Sequence, residues 1–150
     1  MTGRPTRAAA TLMVGAVLLG GCSPFAPREP RHTPVPDEEI FEAVSQIPGV
    51  ESHTLVYNTN FGYTGYAGDV IVSQDADPSC VLDTTLALLW QGRAYLSVSV
   101  RQGDEFTTPQ ELGAGLPRAT AFQERYGPST DDGILREVDP PACHTTAPSQ

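Results

Sequence analysis

Asp77-Pro78-Ser79-Cys80-Val81-Leu82-Asp83-Thr84-Thr85-Leu86-Ala87-Leu88-Leu89-Trp90-Gln91-Gly92, continuing as Arg93-Ala94-Tyr95-Leu96-Ser97-Val98-Ser99-Val100-Arg101, is the stretch that decides the fold. Its first half starts like a helix, with Asp77 as N-cap and Pro78 at the first helical position. Val81, Leu82, Leu86 and Leu89 then recur at helical spacing, and Gly92 is a C-terminal stop. In the second half Ala94, Leu96, Val98 and Val100 alternate with Tyr95, Ser97, Ser99 and Arg101. That period of two predicts a strand with one buried and one wet face.

Upstream, Tyr66 to Ser73 reads as a strand around Val70-Ile71-Val72. Strand, helix and strand form a crossover from about residue 66 to 100, expected to be right-handed. Val50 to Asn58 reads as a further strand, joined to it through the turn-like Asn60 to Gly65 as an antiparallel hairpin. Asp37-Glu38-Glu39 opens an earlier helix, whose acidic residues suit its positive end. Ile40, Phe41, Val44 and Ile47 form its apolar stripe, and Pro48-Gly49 stops it. Downstream, Thr107-Thr108-Pro109 caps a short helix through Leu112. Pro117 to Tyr126 reads as another helix closed by Gly127-Pro128, and Ile134 to Val138 as a candidate edge strand. The expected order is α-β-β-α-β-α. It specifies an α+β fold, a small two-layer sandwich with a mixed sheet of three or four strands and helices on one face. The expected organisation is a signal peptide over 1–21, a proline-rich tether over 22–36, the α+β domain over 37–127 and an irregular C-terminal tail over 128–150.

The first 21 residues have the three parts of a secretory leader. Arg4 and Arg7 are the positive region, Ala8 to Leu19 the apolar stretch, and Gly20-Gly21 the small residues beside a cleavage site. The apolar stretch spans about 18 Å as a helix, short of a hydrocarbon core of about 30 Å. Leu19-Gly20-Gly21-Cys22 resembles the lipobox of bacterial lipoproteins: an aliphatic residue, two small residues and a cysteine. The resemblance covers the leader alone. It implies that Cys22 is lipidated and becomes the first residue of a mature protein held on the extracytoplasmic face of the cell membrane. Acyl chains anchor firmly in pairs and only marginally singly. The prolines of Ser23 to Pro36 favour extended conformations, which makes that stretch a semi-rigid tether.

The formal charge is −9, with 18 acidic residues against 9 basic ones. Loss of Arg4 and Arg7 with the leader makes the rest more negative still. Such a surface repels the phosphates of nucleic acid, so no nucleic-acid partner is expected. The absence of lysine matches GC-rich coding sequence and carries no mechanism.

With Cys22 set aside, Cys80 and Cys143 remain. Outside the cytoplasm an even remainder pairs, so a Cys80–Cys143 disulfide is expected. The competing reading is a thiolate at Cys80, close to a helix N-terminus. No metal site is expected. His32, His53 and His144 lack zinc-motif spacing, Cys143-His144 is at best a half-site, and Asp75-Ala76-Asp77 lacks the distal ligands of a calcium loop. Asp131-Asp132-Gly133 reads as a turn. No catalytic residue and no cofactor is expected, for want of Gly-x-Ser-x-Gly, a phosphate loop or Ser-x-x-Lys.

The remaining candidate is the aromatic hairpin, where Phe61, Tyr63 and Tyr66 alternate with Gly62, Gly65 and Gly68. Exposed, these rings would stack on sugars or grip a protein; otherwise they pack across the hairpin. The leading functional expectation is a non-enzymatic interaction domain with a protein partner at the cell envelope. The alternatives are a small-ligand or glycan binder using Phe61, Tyr63 and Tyr66, and a small envelope enzyme.

Overall fold

A computed structural model describes residues 33–59, 64–93, 96–113, 115–116 and 118–144. Cys22, Phe61 and Tyr63 lie outside these residues, as do the leader and most of the expected tether. Helix α1 (Asp37–Ser45) is followed by strands β1 (Val50–His53), β2 (Val56–Asn58) and β3 (Gly65–Val72). Helix α2 (Pro78–Leu89) leads to β4 (Leu96–Gln102) and β5 (Glu105–Thr107). Helices α3 (Pro109–Leu112) and α4 (Ala119–Tyr126) come next, and a 3-10 turn (Pro141–His144) ends the described chain. The class is α+β with a mixed sheet, as the hydrophobic periods predict.

Helix α2 starts where its sequence says it should. The Asp77 carboxylate accepts the backbone N–H bonds of Ser79 (2.9 Å) and Cys80 (3.2 Å), and Pro78 needs no partner there. Strands β3 and β4 pair in parallel, Tyr66 facing Leu96 and Ile71 facing Arg101, which is the pairing a crossover produces. Val70, Val72, Val98 and Val100 turn inward onto Leu82, Leu86 and Leu89 of α2 and onto Ile40 and Val44 of α1. Ser97 is exposed on the opposite face, with Asp69, Ile71, Ser99 and Arg101 half-buried beside it, so the helices lie on one face of the sheet.

Four details depart from the sequence reading. The strand expected over Val50 to Asn58 is broken into β1 and β2, both antiparallel to β3. Opposite the break lies Gly68, at φ +131°, where a Cβ would come within 2.5 Å of the Thr54 carbonyl oxygen. The two backbones are too close there for any side chain. Second, β5 was not anticipated. It folds back on β4 through Gly103-Asp104, a two-residue connection with Gly103 at φ +62°, which is a hairpin signal in the sequence.

Third, Ile134 to Val138 forms no strand; among the described residues the bridge nearby joins Thr33 to Asp132. Its backbone bonds go to a side chain instead. The Gln91 amide donates to the Arg136 carbonyl (2.8 Å) and accepts the Arg136 N–H (2.7 Å). Fourth, the fold begins before residue 37. Val35, placed in the tether, is 1% exposed in the core, and its N–H donates to the Gln91 carbonyl at 3.2 Å.

Candidate functional site

The charged residue of α2's otherwise apolar run is Asp83, and the structure buries it completely. Its carboxylate accepts Nε (2.7 Å) and Nη2 (2.6 Å) of Arg125, the Tyr126 hydroxyl (2.6 Å) and the Ala142 N–H (2.8 Å). Burial alone raises the Asp83 pKa, but these bonds outweigh it and hold the group below the usual carboxylate range. Against the same carboxylate the Tyr126 phenol, buried and donating, is pushed above its usual range. Asp83 therefore ties α2 to α4 and to the tail. One turn away, Cys80 is bonded to Cys143, so the expected disulfide fastens that tail covalently.

Between α2, α4 and the fastened tail is a cleft of about 350 Å³. That is near the lower end of the roughly 300–1,000 Å³ of small-molecule sites. Trp90 and Tyr126 face it from the helices, and Thr130, Arg136 and Glu137 from the tail. The rings are held firmly. Trp90 stacks on Phe122 (centroids 5.4 Å apart), Phe122 on Tyr126 (5.8 Å), and the Trp90 indole N–H donates to the Gly127 carbonyl (3.0 Å). Arg136 is paired with Asp132 at 2.6 Å, much as Arg125 is with Asp83.

No protein-family model matches this chain, and neither a curated protein nor a solved structure does. Its chemistry has to be argued from its own side chains.

Tyr66 belongs to the core. It is 0% exposed, its hydroxyl donates to Asp37 (2.7 Å), and the Arg93 N–H donates to it (3.3 Å). The ring is edge-on to Phe41 and Tyr57 at centroid distances of 5.9 and 5.2 Å. Tyr66 therefore has no exposed face to offer a ligand, while Phe61 and Tyr63 lie outside the described residues.

A serine–histidine pair emerges that the sequence did not announce: His53 Nε2 lies 3.1 Å from Ser45 Oγ. Its polarity is wrong for nucleophilic catalysis. The Leu55 N–H donates to His53 Nδ1, which puts the proton on Nε2, and Ser45 gives its own proton to the Phe41 carbonyl. A catalytic base must instead accept the serine proton at that nitrogen. The crevice beyond the carboxyl ends of β3 and β4, a common ligand site in parallel sheets, is closed by Gln102. Its amide donates to the Ser73 and Ala76 carbonyls (2.8 and 2.9 Å). Among the described residues, no three His, Cys, Asp or Glu are grouped to hold a metal ion. His144 pairs with Asp139 at 2.8 Å, and Asp75 accepts from Ser73.

Proposed function

We propose that this chain is a lipoprotein anchored through Cys22 to the extracytoplasmic face of the cell membrane, and that its domain recognises an envelope partner without catalysing a reaction. The observation that carries the anchor is Leu19-Gly20-Gly21-Cys22, set directly after an apolar stretch too short to span a bilayer. No described helix is long and apolar enough to cross a membrane. The disulfide supports an oxidising compartment. The non-catalytic reading draws on how the reactive groups are used: Asp83, Cys80 and the Ser45–His53 pair are all engaged in bonds that hold elements together.

Growth on radioactive palmitate tests the anchor. Wild type is expected in the membrane fraction with label, and Cys22→Ala without label and released from it. Label on Cys22→Ala refutes the reading. A second reading, a small-ligand binder, is favoured by the cleft beside Trp90 and Tyr126, and it moves the ligand from the aromatic hairpin to that cleft.

A further inference from the structure

We infer that the cleft between α2, α4 and the tail binds a neutral, hydroxyl-rich ring, a mono- or disaccharide in chemical class. The inference rests on the domain being a recognition module and is independent of the anchor.

The walls choose against charge. Arg125 is committed to buried Asp83, Arg136 to Asp132, and Asp139 to His144. An anion would have to compete with those carboxylates for either guanidinium, and a cation would meet only Glu137, exposed to solvent, where a single charge pair is worth little. A neutral ligand leaves all three pairs standing. The surfaces that remain are an aromatic one and a hydrogen-bonding one. Trp90 and Tyr126 are half-buried and fixed by their shared stacking on Phe122, so presenting them to a ligand costs little ordering. The C–H face of a sugar ring packs on such rings while its hydroxyls reach outward.

Unused hydrogen-bonding capacity lies around them. Glu137 is exposed and makes no ion pair among the described residues. Its carboxylate oxygens can accept ligand hydroxyls in charge-assisted hydrogen bonds. An apolar ligand would leave these groups as they are. An apolar face with hydroxyls at its rim satisfies both surfaces together.

Trp90 is the only tryptophan, so its emission reports on the cleft. Full-length protein in detergent is titrated with glucose, N-acetylglucosamine and trehalose, and separately with phosphate and choline, with calorimetry to detect binding that leaves the indole unperturbed. At least one sugar is expected to saturate the signal. Glu137→Ala is expected to weaken its binding by about three- to tenfold, the worth of one hydrogen bond. It should melt close to wild type, because the exposed side chain makes no ion pair among the described residues. Three results overturn the inference: no saturable signal or heat with any sugar, saturation by phosphate or choline alone, or unchanged binding in Glu137→Ala. Recovery of the sugar chemically altered would refute the non-catalytic reading while leaving the site in place.

Discussion

Removing the Asp83 carboxylate should be among the most damaging single changes available to this domain. Asp83→Ala leaves the Arg125 guanidinium, 21% exposed at its side chain, without its counter-charge, and deprives the Tyr126 hydroxyl and Ala142 N–H of their acceptor. Breaking a buried ion pair by deleting one partner costs roughly 3–5 kcal/mol. The two neutral donors add about 1 kcal/mol each where water cannot replace the acceptor. A loss at the lower end of that sum, about 5 kcal/mol, is therefore expected because Arg125 keeps partial access to solvent, against a total stability of about 5–15 kcal/mol for a domain. Urea unfolding followed by Trp90 emission and circular dichroism measures it. The companion Asp83→Leu/Arg125→Met removes both charges and should recover most of the loss, since apolar replacement of a buried pair is often nearly neutral. The pH dependence has a definite sign. Because the folded pKa of Asp83 is depressed, its contribution is fully present above the unfolded carboxyl value of about 3.9 and is lost as pH falls below that through the folded value. Asp83→Ala should therefore show a shallower acid limb than wild type. A loss under 1 kcal/mol, or a double variant no more stable than Asp83→Ala, would refute the reasoning.

Reducing the disulfide, or replacing Cys143 by Ser, opens a loop with a sequence separation of 63 residues. Loop-closure entropy puts the cost at roughly 4 kcal/mol, read as a lower urea midpoint, with faster protease cleavage after residue 128. Gly92→Ala would drive a Cβ into the Tyr66 hydroxyl and the Ile40 side chain. It should lower the melting temperature by well over about 5 °C. Tyr66→Phe in the same chain should restore only part of it, because Ile40 Cδ1 still lies 2.7 Å from that Cβ.

Features set by local chemistry were legible in the sequence. Asp77-Pro78 fixes the start of α2 through two backbone bonds, and Val98 and Val100 fix the inward face of β4 by simple alternation. The cysteine pair followed from parity and compartment. What escaped depends on partners distant in the chain. Tyr66 lies among glycines that suggest an exposed tip, yet Asp37, 29 residues away, gives its hydroxyl a buried acceptor. Val35 looks like tether because prolines surround it, and only the packed α2 shows that a core position awaited it. The cleft was invisible because one wall is the tail, which has no periodicity and is shaped by Gln91, Asp83 and Cys80. Asp83 did leave a signal: a lone carboxylate within Val81-Leu82-Asp83-Thr84-Thr85-Leu86 is expensive to bury unless something pairs with it.

The contact of Val35 and Arg136 with the two sides of Gln91 has a mechanical meaning. A pull on the chain ahead of residue 33 would reach the domain at Thr33, beside Asp131 and Asp132, and pass through Val35 to the carboxyl end of α2. Near its other end α2 is covalently joined to the tail at Cys80. Tension is thus delivered along a helix pinned near both ends rather than to the lip of the sheet, where strands unzip one bond at a time. Under such a load the first bonds to yield would be those of Thr33 and Val35, and the tail's grip on α2 would outlast them.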